Sequence, residues 1–117
     1  MIRFKSGVDM LGIRPELILA LTVCDQVYEN NGVYEMTITS LRDGTHKPSS
    51  WHYYGWAADI RSKTVGSKEA KNIMLENLRS ALGSQWEVFL EYLGEPIEHF
   101  HIEPSPSMKA KKEFDIL

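Results

Sequence analysis

The chain has 117 residues, of which 43% are hydrophobic and 25% are charged, and its formal net charge is -3. This length and composition predict one compact domain over residues 1–117 and exclude an intrinsically disordered chain. The acidic balance argues against nucleic acid as a partner. The single cysteine, Cys24, excludes an internal disulfide framework and a cysteine-based zinc finger, and it is predicted to be a buried small hydrophobe.

The N-terminal segment carries charged residues and no apolar stretch of the kind found in signal peptides. No run approaches the roughly 18 to 20 apolar residues of a membrane span. We therefore expect a protein made in the cytoplasm without a signal peptide, with no membrane partner. The chain is expected to be a monomer.

Apolar periodicity predicts two helices. In "RPELILALTVCDQVYENNG", Pro15 suits the first helical position and Asn31-Gly32 ends the helix. Its buried face is predicted to contain Leu17, Ala20, Leu21, Cys24 and Tyr28. In "GSKEAKNIMLENLRSALG", Ser67 is the expected N-cap and Gly83 follows the last turn. The apolar face of this second helix is predicted to contain Ala70, Ile73, Met74, Leu78, Ala81 and Leu82.

Four segments have the pattern of strands: "VYEMTITS", "WAADIR", "WEVFLEYL" and "EHFHIE". A polar loop, "LRDGTHKPSS", with turn signals at Asp43-Gly44 and Pro48, separates the first two. The order is helix, strand, loop, strand, helix, strand, strand. It predicts an α+β fold in which a small, mostly antiparallel sheet packs on helices. The tail after Pro104 is expected to be frayed or loosely docked.

Three of the four histidines lie where they could meet an aspartate. In "EHFHIE", the two-residue period of a strand places His99 and His101 on the face opposite Phe100. The same period places Asp59 on the non-core face of its strand, and His52 lies in the loop that leads into that strand. The residues therefore predict a zinc site, one ion per chain, made of His52, Asp59 and either His99 or His101. For each histidine the alternative is a polar residue satisfied without a metal.

The two segments that contain these histidines and Asp59 resemble known sequence motifs. "SSWHYYGWAADIR" resembles the S-x-H-x-x-G-x-A-x-D signature of the zinc D,D-carboxypeptidases and dipeptidases. That family includes phage L-alanyl-D-glutamate endolysins, and its fold is shared with the hedgehog signalling domain. "EHFHIE" is similar to the family's acidic-x-x-His motif, and the resemblance extends from about Gly12 to Pro104. It implies the hedgehog/DD-peptidase fold.

The resemblance also implies roles for single residues. His52, Asp59 and His101 would be the zinc ligands. Gly55 matches a position where a side chain would crowd the ligand loop. Ser50 would hydrogen-bond within the loop or to substrate. His46 and Tyr54 are further candidates for substrate contact, although a solvated loop histidine and simple aromatic packing explain them as well.

The general base implied by the resemblance is Glu98, three residues before His101. Because Glu98 has the opposite strand parity to His101, it reaches the site only if the strand begins with a bend or bulge. Glu91 is the competing candidate for the base. His99 would stabilise the oxyanion, and Arg42 would do so too or would clamp a substrate carboxylate.

The expected function is that of a zinc peptidase acting on peptidoglycan stem peptides that contain D-amino acids. Both a D,D-carboxypeptidase and an L-Ala-D-Glu endopeptidase fit the resemblance. A phage-encoded enzyme delivered to the cell wall and a bacterial recycling peptidase both fit the length. The alternative from another class is a non-catalytic zinc-binding recognition domain on the same fold.

Overall fold

The computed structural model describes residues 1–46 and 50–109. The described strands and helices, in chain order, are β1 (Ile2–Phe4), α1 (Pro15–Asn30), β2 (Met36–Ser40), β3 (Ala58–Arg61), α2 (Lys68–Leu82), β4 (Trp86–Glu91) and β5 (His99–Pro104). A short 3-10 helix, Trp51–Tyr54, precedes β3. The predicted turn at Pro48 lies outside the described residues, as does the tail beyond residue 109.

The five strands form one sheet in the order β1-β2-β3-β5-β4. Only β1 and β2 pair in parallel, and the other three pairings are antiparallel. This confirms the predicted α+β class and the mostly antiparallel sheet. The short strand β1 was not predicted, because three residues with one half-buried side chain carry no readable period.

Both helices cover the same face of the sheet. The core contains the predicted face of α1, with Leu17, Cys24 and Tyr28 fully buried, together with Phe100 and Ile102 from β5. The alternation of β5 is therefore as predicted, with apolar side chains toward the helices. The opposite face, which carries His99 and His101, is left uncovered by the helices and forms the floor of a cleft.

Helix α2 differs in part from its predicted face. Ser67 caps it as expected, because its hydroxyl accepts a hydrogen bond from Ala70 N–H at 3.1 Å. Met74 and Leu78 are fully buried, but Ile73 is 58% exposed and Ala81 is exposed as well. The helix meets the sheet along a narrow i, i+4 stripe, so a residue one position away is rotated by about 100° and leaves the contact.

The beginning of the tail is docked. Ser105 and Met108 are 6% and 8% exposed, and residues 106–109 form a helical turn. Of the two alternatives expected for the tail, frayed or loosely docked, the part that the structure describes is docked. Among the described residues, no helix has both the length and the apolarity to span a bilayer.

Candidate metal centre

Three histidines converge on one aspartate at the centre of the uncovered face. Around Asp59 Oδ1, His101 Nδ1 lies at 2.8 Å, His52 Nε2 at 3.3 Å and His99 Nε2 at 3.4 Å. Asp59 itself is only 7% exposed. The structure thus brings together the three predicted ligands, His52, Asp59 and His101. His99, the alternative ligand, lies beside them.

His52 has the orientation of a metal ligand. Its Nδ1 lies 2.6 Å from the carbonyl oxygen of Leu41, so the ring donates its Nδ1–H there and turns Nε2 toward Asp59. A histidine that ligates a metal typically uses its other nitrogen in this way, which fixes the tautomer and the ring direction. The ring is 2% exposed and stacks on His46, with centroids 3.9 Å apart. Burial and stacking leave His52 little rotational freedom.

His99, the first residue of β5, is oriented in the same way as His52, by a backbone carbonyl oxygen at its Nδ1. Its Nδ1 lies 2.7 Å from the carbonyl oxygen of Ile97, and its Nε2 faces Glu91 Oε1 at 3.0 Å. A ring nitrogen at this distance from a carboxylate oxygen either donates its N–H to that oxygen or shares a metal ion with it. His52 and His99 both oppose the same oxygen of Asp59, so either kind of contact would link the two rings through Asp59.

His101 lies between two carboxylates. Its Nδ1 faces Asp59, and its Nε2 faces Glu103 Oε1 at 2.9 Å. Glu103 also pairs with Lys109. A carboxylate behind a ligating imidazole orients the ring and makes its other nitrogen a stronger donor. His101 and Glu103 therefore have the geometry of a carboxylate-supported ligand.

The charges of the centre depend on one another. Burial lowers the pKa of His101, but the hydrogen bonds to Asp59 and Glu103 outweigh burial and raise it to about 9. Burial raises the pKa of Asp59, and hydrogen bonds from His101 and His52 reverse this and hold it well below its usual range. The raised pKa of His101 favours its protonated form when no metal is bound. A divalent ion would have to displace that proton.

The donor set fits a metal ion. Ligand atoms of Asp59, Glu91, His99 and His101 all lie within 4.8 Å of one another, so this cluster can hold a metal. The predicted ligand His52 is not a member of this four-residue cluster, although its Nε2 lies 3.3 Å from Asp59 Oδ1. Imidazole nitrogens combined with carboxylate oxygens suit zinc among other divalent ions.

The centre opens into a cleft of about 650 Å³. Its floor is formed by the metal cluster, and its walls come from the loop before β3 and from the loop between β4 and β5. The lining residues outside the cluster include Thr45, His46, Ser50, Trp51, Tyr92 and Ile97. A cleft of this size lies in the range of small-molecule and peptide subsites.

A close backbone approach requires Gly55 in the ligand loop. Its φ is 78°, and a Cβ atom at this position would lie 2.3 Å from the carbonyl oxygen of Gly12. Any side chain would push the loop away from the segment that precedes α1. This contact explains why a small residue is needed at position 55, because it positions the loop that carries His52.

The predicted residues Ser50 and His46 both line the cleft. Ser50 caps the 3-10 helix of the ligand loop, accepting a hydrogen bond from His52 N–H at 3.2 Å. His46 Nε2 lies 2.8 Å from the carbonyl oxygen of Asp43 and 3.2 Å from the hydroxyl of Ser40. Both residues support the loop that carries His52, and both line the cleft.

Glu98 does not join the cluster. Its carboxylate is buried on the helix side of the sheet, where it bonds Ser62, Lys71 and Gly94. Burial raises its pKa, but the hydrogen bonds from Gly94 N–H, Ser62 and Lys71 outweigh burial and lower it to about 2. Glu98 lies in the loop just before β5, which begins at His99, and its bonds to Lys71 and Ser62 hold the carboxylate on the side of the sheet opposite His99. The interpretation of Glu98 as the base therefore does not fit this geometry.

Arg42 and Tyr54 are also directed away from the described cleft. Arg42 donates to the carbonyl oxygen of Leu11 at 2.8 Å and supports the segment before α1. Tyr54 is 41% exposed and packs edge-on against Trp51, with centroids 6.2 Å apart. Neither residue is among those that line the cleft. Their predicted roles in oxyanion binding and substrate contact are not supported by their positions.

Glu91 takes the place at the cluster that was expected for Glu98. It pairs directly with His99 across β4 and β5, and both side chains point to the cleft. The signal in the sequence was the alternation of "WEVFLE", which places Glu91 on the same face as Glu87 and Phe89. The pairing register that sets Glu91 opposite His99 is a long-range feature, so local pattern alone could not decide it.

The comparisons with known proteins add no relative: the chain matches no family model, no curated protein and no solved structure. The geometry therefore defines a class only, an α+β protein with a histidine and carboxylate cluster able to hold a metal ion.

Proposed function

We propose that the protein is a zinc metallopeptidase that hydrolyses peptide bonds in peptidoglycan stem peptides containing D-amino acids. The observation that carries the proposal is the convergence of His52 Nε2, Asp59 Oδ1 and His101 Nδ1, with the second nitrogen of each ring bonded away from the centre. The substrate class is supported by the resemblance of "SSWHYYGWAADIR" and "EHFHIE" to the zinc D,D-carboxypeptidases and phage endolysins. The hedgehog/DD-peptidase fold is part of the same proposal.

His52, Asp59 and His101 would hold the zinc ion. When bound there, zinc would polarise the scissile carbonyl and make water a better nucleophile at neutral pH. The neighbouring protein groups then have separate tasks. Glu103 holds the ring of His101, the Leu41 carbonyl holds that of His52, and the stack of His46 on His52 limits movement of the ligand loop.

In this proposal Glu91 is the general base. Its side chain is 41% exposed, so water and substrate can reach the carboxylate. Its Oε1 lies 3.0 Å from His99 Nε2, which holds the carboxylate over the cluster. Glu91 would take a proton from the attacking water and pass it to the leaving amine, while His99 would face the developing oxyanion.

The cleft walls would hold the stem peptide on either side of the cluster. Trp51 and Ser50 form one wall, and Tyr92 and Ile97 form the other. The two walls come from separate loops, so the identity of the cleaved bond depends on how these loops fit the residues flanking it. A D,D-carboxypeptidase and an L-Ala-D-Glu endopeptidase are the two forms of the proposal, in a phage or bacterial setting.

Mass spectrometry of defined muropeptides incubated with the zinc-loaded protein tests the proposal. Loss of a terminal D-Ala identifies a carboxypeptidase, and separation of L-Ala from D-Glu identifies an endopeptidase. The control is Glu91→Gln, which should bind zinc and leave the muropeptides intact. If zinc is bound but no tri-, tetra-, penta- or cross-linked peptide is cleaved, the peptidase proposal fails and a zinc-binding recognition domain becomes the better explanation.

A further inference from the structure

A second polar cluster lies behind the metal centre, on the helix side of the sheet. Glu98 is 6% exposed, and its carboxylate accepts hydrogen bonds from three different segments. Lys71 Nζ on α2 lies 2.9 Å from Oε2, the hydroxyl of Ser62 at the end of β3 lies 2.5 Å from Oε2, and Gly94 N–H lies 2.9 Å from Oε1. The side chains of Glu98 and Lys71 are 1% and 13% exposed, so the pair is shielded from water.

The third partner of this cluster, Gly94, lies in a loop whose other residues form a wall of the cleft. Gly94 lies in the loop that joins β4 to β5, and the same loop carries Tyr92 and Ile97, which line the cleft. The two ends of the loop are Glu91 and His99, which face each other across the strands. A bond that fixes Gly94 therefore also limits the movement of the two groups nearest the proposed reaction.

The loop has a conformation that needs support. Tyr92 has a φ of 56°, the one positive φ among the described residues other than glycine. A large side chain in this region costs free energy, and it persists only where surrounding contacts enforce it. The contacts here are Glu95 N–H to the Tyr92 carbonyl oxygen at 2.9 Å and the Glu98 carboxylate to Gly94 N–H. The ring of Tyr92 then packs 5.8 Å from that of His99.

We propose that Lys71, acting through the Glu98 carboxylate, is a positioning residue that holds the β4–β5 loop, and with it Glu91 and His99, in place for peptide hydrolysis. This inference rests on the proposed function for its effect on catalysis. Lys71 and Ser62 touch neither the cleft nor the metal cluster, so their effect must travel through Glu98 and the loop. The cluster has a fully bonded anion at its centre, which makes it rigid.

Four variants test the proposal: Lys71→Met, Glu98→Gln, the double variant, and Lys68→Met as the matched control. Lys68 lies one turn earlier on α2 and is exposed. Lys71→Met leaves a buried carboxylate without its cation and lowers the melting temperature, whereas the double variant removes both charges and recovers much of that loss. This recovery keeps the test valid if the single variant folds poorly.

We expect the double variant to bind zinc at one ion per chain and to lose about 100-fold in kcat/KM, as misplacement of catalytic groups by about 1 Å can do. Glu98→Gln should show a similar loss, and Lys68→Met should behave as the wild type. A double variant that is stable and fully active would overturn the proposal. So would a Lys71→Met variant with wild-type turnover beside an inactive Glu98→Gln, since that result makes Glu98 the base.

Hydrogen exchange of the Gly94 amide, followed by NMR, separates this inference from the proposed function. The amide should exchange slowly in the wild type and in Lys68→Met, and at least tenfold faster in Lys71→Met and the double variant. Equal exchange in all four proteins overturns the positioning role. If the wild type cleaves no muropeptide, the peptidase proposal fails, and the exchange rates alone still decide whether Lys71 holds the loop.

Discussion

Glu91 is the last residue of β4 and Glu98 is the last residue of the loop that follows it, yet their environments are opposite. Glu91 faces the cleft with a side chain 41% exposed and is paired with His99, whereas the Glu98 side chain is 1% exposed and bonded to Lys71 on the helix side. The resemblance to known peptidases favoured Glu98 as the base. In the structure Glu98 lies just before β5, and its bonds to Lys71 and Ser62 hold its carboxylate on the helix side, away from His99 and His101. Sequence spacing to a ligand therefore does not determine which side of a sheet a carboxylate reaches.

The largest expected effect is the loss of zinc binding on the cleft side of the sheet. His101→Ala should abolish zinc binding, because it removes a ligand whose ring is held between Asp59 and Glu103. Metal analysis of the purified protein after dialysis measures the stoichiometry. Lys68→Met is the control and should keep one zinc per chain, since Lys68 is exposed on α2 and contacts no residue of the candidate site. Full zinc content in His101→Ala would remove His101 from the ligand set.

Next in size is the loss of the base. Glu91→Gln should keep zinc and lower kcat by about 10²- to 10⁴-fold, the usual contribution of a general base. It should leave the melting temperature nearly unchanged, because the side chain is partly solvated. Steady-state hydrolysis of the cleaved muropeptide measures the effect. An active Glu91→Gln beside an inactive Glu98→Gln would reverse the roles of the two glutamates.

Removal of zinc should lower stability by a smaller but clear amount. With zinc at 1,000 times its Kd, binding stabilises the folded state by about 4 kcal/mol, so a chelator should lower the melting temperature by roughly 15 °C. Differential scanning calorimetry with and without chelator tests this. A melt that the chelator leaves unchanged argues that no metal occupies the cluster. The cluster around Glu98 should stay folded in both conditions, as the slow exchange of Gly94 N–H would show.

The smallest expected effect is a pH dependence of the zinc-free protein. The pKa of His101 rises from 6.5 to about 9 on folding, so the folded state binds this proton more tightly than the unfolded chain. The stabilisation is complete below pH 6.5 and is lost as pH rises toward 9, a change on the order of 1 to 3 kcal/mol. Urea unfolding in the presence of chelator measures it. The slope should disappear in His101→Asn, and a slope that persists there must come from another group.

The local sequence predicted much of the fold. Pro15 and Ser67 begin their helices as expected, because capping depends on neighbouring backbone groups only. The two-residue period placed Asp59 and His101 on the uncovered face and Phe100 in the core, because strand geometry is local too. The prediction that Ile73 is buried was wrong, because the width of the buried stripe on α2 depends on the surface that the helix packs against.

The sequence identified part of the candidate metal centre, Asp59 with His99 and His101, but not the contribution of Glu91. His52, Asp59 and His101 could be chosen by strand parity and by resemblance to a known motif. Glu91 lies beside the cluster because the register of β4 against β5 places it opposite His99. Arg42 lies outside the cleft lining and donates a hydrogen bond to the carbonyl oxygen of Leu11. Only the tertiary structure decided these positions, because they depend on contacts between segments that are apart in the sequence. The spacing of apolar residues within one segment carries no information about such contacts.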